Sequence, residues 1–156
     1  MNLSKNLTLA EMVNSDTAKR LGIDNTPTAE HLENLKVWAE NIFQPIRDHF
    51  GIPIHVSSGY RSKALNKAVP GSSQTSQHST GQAGDLDMDN TTISNAILFY
   101  WIINNLLFDQ LIWEFGTKEN PDWVHVSFVA NGKGKNRKQI LIGKKIAGKT
   151  TYLNFQ

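Results

Sequence analysis

The stretch 27–50 restricts the folds open to this chain more than any other part of the sequence. Its apolar residues recur at steps of three and four, which is the period of one face of an α-helix. They are Leu32, Leu35, Trp38, Ala39, Ile42, Phe43, Ile46 and Phe50. The pattern predicts a long amphipathic helix, and Pro27 suits its first turn. Two shorter segments upstream, 7–13 and 16–21, are expected to pack across this helix.

Short strands are expected along the rest of the chain, with one further helix among them. Residues 52–57 are typical of a strand, and Pro53 places it at a sheet edge or a strand start. In 84–89, apolar residues alternate with aspartates, which indicates a strand with one acidic face. Residues 93–108 are apolar on nearly every side, so we expect a helix buried in the core. Three strands follow, over 110–115, 123–130 and 139–143, and a turn that begins at Asn131-Gly132 joins the last two.

A polar segment, 66–84, lies ahead of the acidic strand. It is rich in Gly, Ser, Gln and Thr, which predicts a long loop. Loops of this length inside a small domain are usually functional or disordered. No internal repeat or second domain is visible, so residues 1–156 are expected to form a single domain.

Several classes of protein are excluded by composition. The chain has no cysteine, so it has no disulfide framework, thiolate metal site or cysteine nucleophile, and any metal must be held by His, Asp or Glu. The longest apolar run, 97–103, is far shorter than the roughly 20 residues that cross a bilayer. The opening residues lack the apolar segment and cleavage site of a secretory signal, so we expect synthesis in the cytoplasm.

Positive charge is concentrated at the C-terminal end. Residues 123–156 contain seven Lys or Arg and no acidic residue, although the whole chain carries a formal charge of only +2. Such a segment could attract an anionic polymer, or it could be a solvated hairpin edge protected by lysines. A nucleic-acid partner is not expected, because the segment lacks interleaved aromatic residues and any recognisable nucleic-acid motif.

Two histidines and an aspartate form a candidate metal-binding set. In a strand that starts at Trp123, His125 points away from the core face that the valines occupy. His78 and Asp85 are seven positions apart and are joined by small residues that allow the chain to turn back. Two imidazoles and one carboxylate suit a zinc ion with an open fourth position, although three such residues occur in most soluble chains.

A longer series of motifs resembles one enzyme family. The segments are Ser58-Gly-Tyr-Arg-Ser, then Asn66, then Ser76-Gln-His-Ser-Thr-Gly-Gln-Ala-Gly-Asp85, then Trp123-Val-His-Val-Ser. The series is similar to that of the zinc D-alanyl-D-alanine carboxypeptidases and L-alanyl-D-glutamate endopeptidases, which cut the peptide stems of bacterial peptidoglycan. The resemblance covers roughly residues 30–130, and the segment 7–45 is similar to the start of a single-domain phage and bacterial branch. The implied fold is α+β of the Hedgehog/DD-peptidase type, an antiparallel sheet flanked by helices.

The resemblance also implies roles for particular residues. His78, Asp85 and His125 would hold one zinc ion, and Arg61 would bind the free carboxylate of the substrate or stabilise the developing oxyanion. Ser76 and Gln77 are candidates for the wall of the substrate groove. The implied partner is a peptidoglycan stem peptide, and neither integral membrane association nor a particular oligomeric state is implied.

Two carboxylates are candidates for the general base. Several relatives carry the base three positions before the last histidine ligand, which here is Asp122. On a regular strand Asp122 would face away from His125, unless Pro121 breaks the strand and leaves the aspartate in a turn. Glu114 is the alternative, because it lies among apolar residues, where an ionisable group is either paired or functional.

The sequence leaves two classes of function open. The first is a zinc peptidase acting on stem peptides, as carboxypeptidase or endopeptidase; the second is a catalytically silent module that keeps the zinc fold and binds cell wall or protein. Loss of Arg61 or of both candidate bases would favour the second, and all three residues are present. Because no signal is visible, a wall-cutting enzyme of this kind fits a phage lysis enzyme that is released from the cytoplasm to the wall.

Overall fold

In a computed structural model that describes all 156 residues, the predicted long helix is present with a change of pitch in its middle. Helix α3 (Ala29–Trp38) continues through a π-helical turn (Ala39–Phe43) into α4 (Gln44–Phe50). Thr28 caps α3 by accepting a hydrogen bond from the backbone N–H of His31. Pro27 therefore precedes the N-cap, and the prediction that it lies in the first turn is wrong.

A two-stranded ribbon and two short helices precede α3. Strands β1 (Asn2–Ser4) and β2 (Leu7–Thr8) pair antiparallel. Helices α1 (Leu9–Val13) and α2 (Asp16–Leu21) occupy the two segments in which short structured pieces were expected. The ribbon was not predicted, because strands of two or three residues are too short to show an alternating pattern.

Six strands form one mixed sheet behind the helices. They are β3 (His55–Ser58), β4 (Ala83–Asp87), β5 (Gln110–Glu114), β6 (Trp123–Ser127), β7 (Gln139–Ile146) and β8 (Lys149–Asn154). Their order is β3-β4-β6-β5-β7-β8, with β3 at the edge that Pro53 indicated. All neighbours are antiparallel except β5 and β7, which run parallel. The expectation of a purely antiparallel sheet is therefore wrong.

The C-terminal region differs most from the prediction. Strands β6 and β7 do not pair with each other, because residues 128–138 cross over β5 and deliver β7 to its far side. Strand β8 was missed; it forms a hairpin with β7 whose tip, Ala147 and Gly148, has positive φ at both residues. Two left-handed residues are typical of the tight turn that matches the twist of paired strands.

Two further helical pieces refine the middle of the chain. Helix α5 (Lys63–Ala68) and a 3₁₀ turn (Gln77–Thr80) occupy part of the segment that was predicted as one long loop.

Helix α6 (Asn95–Asn105) is not buried on every side, since Ile97 is 51% exposed and Tyr100 is 48% exposed. None of the helices has the combination of length and apolar character that crossing a membrane requires.

The apolar core holds the strands of the site in place through one tryptophan. Trp38 is fully buried and donates its indole N–H to the carbonyl of Val126, 3.0 Å away. A Cβ at Gly84 would lie 2.6 Å from the Trp38 ring, so only glycine allows this approach. Gly84 and Val126 are the immediate neighbours of Asp85 and His125, and the packing therefore fixes the backbone of two candidate metal ligands.

Candidate active site

Two rows of side chains cross the sheet on the face opposite the apolar core. Residues that pair across antiparallel or parallel strands place their side chains on the same face, side by side. The first row, from β4 to β7, is Asp85, His125, Ile112 and Leu141. The second row, from β6 to β8, is Trp123, Glu114, Gly143 and Tyr152. The alternation of side chains in β6 therefore separates His125 from the core valines as the sequence predicted.

His78 reaches the first row from the 3₁₀ turn. The hydroxyl of Ser76 accepts the backbone N–H of His78 at 3.3 Å and begins the turn. Gly81 ends it with φ +74°, and a Cβ there would lie 2.5 Å from the carbonyl oxygen of His31. The small residues between His78 and Asp85 thus let the chain double back, which is the role that the sequence assigned to them.

The three predicted metal ligands converge in one buried group. Asp85 Oδ1 lies 2.9 Å from His125 Nδ1 and 3.2 Å from His78 Nε2, and the two ring nitrogens are 3.2 Å apart. Each of the three residues is less than a tenth exposed. No other set of His, Asp and Glu residues in the chain gathers in this way.

The protonation states of this group suit a metal ligand set. His78 Nδ1 donates to the carbonyl of Gly59 at 2.7 Å, which leaves the Nε2 lone pair directed at the group. Burial lowers the pKa of His78 and so favours the neutral imidazole that metals bind. Burial opposes ionisation of Asp85, but the nearby His78 and His125 outweigh it and hold the pKa of this carboxyl well below its usual range.

The spacing of the donor atoms fits a tetrahedral zinc ion. Bond lengths near 2.1 Å to nitrogen and oxygen place tetrahedral ligands about 3.4 Å apart. The three donor atoms here are separated by 2.9–3.2 Å, so an ion could sit between them with little movement of the side chains. Two nitrogens and one carboxylate oxygen leave the fourth position free, which is the arrangement of catalytic zinc sites.

A cavity of about 1050 Å³ opens in front of the donor group. Three buried polar atoms that have no hydrogen-bond partner belong to residues lining it: Arg61 Nε, Glu114 Oε2 and Trp123 Nε1. Buried polar atoms are almost always paired in folded proteins, so unpaired ones beside a cavity indicate groups that a ligand would satisfy. The cavity therefore has the features of a binding site for a polar molecule.

Glu114 faces the cavity from the second row. It is 4% exposed, and burial together with the charge of Asp85 raises its pKa to about 7. A Cβ at Gly143 would lie 2.8 Å from Glu114 Oε2, so the absence of a side chain at Gly143 makes room for this carboxylate. The ring of Tyr152 packs over Gly143 from the other side. Glu114 is thus held at the cavity wall with a pKa suited to proton transfer near neutral pH.

Asp122, the other candidate base, lies outside the cavity that Glu114 faces. Its side chain is exposed and does not line the cavity, and its backbone N–H donates to the carbonyl of Glu114 at 2.9 Å. The carbonyls of Pro121 and Asp122 both accept from the side-chain amide of Asn95. Strand β6 does begin only at Trp123, as this assignment required, but Asp122 lies outside the cavity.

The other predicted residues meet at the cavity. Arg61, Ser76 and Gln77 all line it. The backbone N–H of Arg61 donates to the carbonyl of His78 at 3.1 Å, which ties the arginine to the metal-ligand turn. The side-chain amide of Gln77 donates to Asp109 at 2.9 Å. Ser76 both caps the turn and lines the cavity.

A family model described as Peptidase M15 matches residues 5–127, which is most of the chain. The chain belongs to the peptidase M15 family. The match confirms the resemblance to zinc peptidoglycan metallopeptidases that the motifs indicated, and it includes all three metal-ligand candidates. No curated protein matches the chain.

Several residues that line the cavity of this M15 peptidase were not predicted from the sequence. Lys145, Thr150 and Tyr152 of the β7–β8 hairpin line the cavity, as does Leu141. A signal was present, because the Ala147-Gly148 pair is flanked on both sides by residues that suit strands. The match to the M15 family ends before this hairpin, so the resemblance gave no guide to it.

The raised pKa of Glu114 predicts a pH-dependent stability of the metal-free M15 peptidase. Because the folded state raises this pKa from near 4.5 to about 7, the carboxyl group destabilises the fold progressively as the pH rises between these values. Glu114→Gln should therefore leave the free energy of unfolding nearly unchanged at pH 4.5 and raise it at pH 8, by up to about 3 kcal/mol. Urea unfolding of both proteins with chelator present measures this. An equal difference in the free energy of unfolding at both pH values would contradict a raised pKa of Glu114.

Proposed function

We propose that this M15 peptidase is a zinc-dependent hydrolase of peptide bonds in peptidoglycan stem peptides, with the Hedgehog/DD-peptidase fold. The observation that carries the proposal is the convergence of His78, Asp85 and His125 on one buried point at the wall of the cavity that Glu114 also faces. A donor set, an ionisable carboxyl group and a binding cavity are the three parts that hydrolysis of an amide needs.

The residues of the chain divide the chemistry between them. His78, Asp85 and His125 would hold the zinc ion. When bound, zinc polarises a carbonyl oxygen and makes a water molecule more acidic. Glu114 accepts the proton of the attacking water at its carboxylate and returns it to the leaving amine, which converts the amide into a carboxylate and an amine.

Glu114 is preferred to Asp122 as the base because of where each carboxylate lies. Glu114 lines the cavity and has an unpaired oxygen, whereas Asp122 is exposed and outside the cavity. The spacing of three residues to His125 remains an argument for Asp122 from resemblance alone. Comparison of Glu114→Gln with Asp122→Asn in turnover separates the two assignments.

Arg61 supplies positive charge at the cavity. Its Nε atom is buried without a hydrogen-bond partner, and it forms no ion pair within the chain. A substrate carboxylate, or the oxyanion that develops during hydrolysis, would satisfy it. Ser76 and Gln77 contribute polar groups to the same wall. The presence of Arg61 and Glu114 in one cavity favours the enzyme over a silent binding module.

The experiment that tests the function is mass spectrometry of peptidoglycan fragments after incubation with the protein. We expect hydrolysis that stops with a metal chelator and returns with added zinc. Loss of a terminal D-alanine would identify a carboxypeptidase, and a cut inside the stem or cross-bridge would identify an endopeptidase. Zinc binding without cleavage of any wall type would support the silent module instead. A phage lysis role, with release from the cytoplasm to the wall, belongs to the same proposal.

A further inference from the structure

We propose that Lys145, on the β7–β8 hairpin, binds a second carboxylate of the substrate on the side of the cavity opposite Arg61. The inference rests on the proposed peptidase function and specifies its substrate as a peptide with two free carboxylates that flank the reaction centre. The hairpin lies outside the family match, which ends at residue 127.

Lys145 is placed at the cavity by the register of the sheet. Alternate residues of β7 face the same side, so Leu141, Gly143 and Lys145 share the face that carries the site. Gly143 is the partner of Glu114 in β5, and Lys145 follows two residues later along the same face. Lys145 lines the cavity, whereas its neighbour Lys144 does not.

The ammonium group of Lys145 has only neutral contacts. It donates to the hydroxyl of Thr150 at 3.0 Å and lies 5.9 Å from the centre of the Phe115 ring. No carboxylate of the chain is within ion-pair distance of it. These contacts hold the charge at the rim of the cavity and leave it available to an anion.

The unpaired cationic side chains of the cavity point to an anionic ligand. Its lining contains three cationic side chains, from Arg61, Arg137 and Lys145. Arg137 is already paired with Asp109, at 2.8 Å. Two unpaired cations therefore remain, and a substrate that matched both would carry two negative charges.

The order of the strands sets these two cations apart. Arg61 follows β3, Lys145 lies in β7, and β4, β6 and β5 lie between them with the metal-ligand group and Glu114. Neighbouring strands are about 4.8 Å apart, so the four intervals from β3 to β7 amount to roughly 19 Å. The long side chains of Arg61 and Lys145 cover part of this distance, so a short extended peptide, the size of a stem-peptide fragment, is enough to contact both cations.

Calorimetry with two synthetic peptides tests the proposal. The first is L-alanyl-γ-D-glutamyl-L-lysyl-D-alanine, which has free carboxylates on its glutamyl residue and at its C-terminus; the second carries a carboxamide in place of the glutamyl carboxylate. The protein is zinc-loaded and carries Glu114→Gln, so that binding is measured without turnover. Lys145→Met is compared with Lys144→Met, which removes the same charge from the opposite face of the same strand.

We expect Lys145→Met to weaken binding of the dicarboxylate peptide about three- to tenfold and to leave binding of the amidated peptide unchanged. Lys144→Met should alter neither, and the difference should shrink at high salt. Equal effects of Lys145→Met on both peptides, or no effect on either, would overturn the proposal while leaving the hydrolase function intact. If the Glu114→Gln protein with native Lys145 binds neither peptide, and the wild-type protein cleaves neither, both the proposed function and this inference are overturned.

Discussion

Glu114→Gln should lower the turnover number for a stem peptide by about 10²–10⁴-fold, with little change in zinc content. The size follows from the usual contribution of a positioned general base. Glutamine keeps the shape of the side chain beside Gly143 but cannot accept a proton, and the metal ligands are not altered. Single-turnover kinetics with a defined stem peptide, together with zinc analysis of both proteins, provide the measurement.

Asp122→Asn is the matched control, since it makes the same carboxylate-to-amide change on a side chain that is exposed and outside the cavity. We expect its turnover number to fall by less than about threefold, because the contacts that anchor this turn come from the backbone of Asp122. The reverse result would be a large loss with Asp122→Asn and a small one with Glu114→Gln. It would identify Asp122 as the base, as its spacing to His125 suggests, and show that the turn rearranges when substrate binds.

The candidate ligand set could be predicted because local features placed each side chain and the resemblance to a family selected the three residues. The small residues between His78 and Asp85 and the alternation that turns His125 away from the core both act within a few positions of the chain. The contact between Asp85 and His125, in contrast, is a pairing between β4 and β6, and only the family motif indicated that these strands meet.

The base and the second wall of the cavity could not be predicted in the same way. Glu114 reaches the site because β5 pairs with β6, and Gly143 leaves room for it because β7 pairs with β5. Both facts depend on the strand order, and residues 128–138 cross over β5 where the sequence suggested a simple turn at Asn131. Strand order is a long-range property that periodicity along the chain does not encode.

Asp85→Asn should weaken zinc binding at least about 100-fold and reduce the zinc-dependent rise in melting temperature to about a third of its wild-type size or less. The asparagine has the same size as the aspartate, but it removes the negative charge that Asp85 holds beside His78 and His125, where the cation would bind. At a zinc concentration about 1,000 times the dissociation constant, binding stabilises a protein by about 4 kcal/mol. For a chain of 156 residues this corresponds to roughly 10 °C in melting temperature. Calorimetric unfolding with zinc and with chelator measures the shift.

Asp87→Asn separates loss of the metal ligand from general damage to β4. Asp87 lies two residues further along the same strand, and its carboxylate accepts from the backbone N–H of Asp89 and from Asn95, so it organises the turn after the strand. We expect this variant to lose some stability but to keep the full zinc-dependent shift, since it contacts none of the three ligands. A zinc-dependent shift of full size in Asp85→Asn would mean that the ion binds elsewhere, because a neutral amide in this buried group cannot replace the carboxylate that balances the charge of the cation.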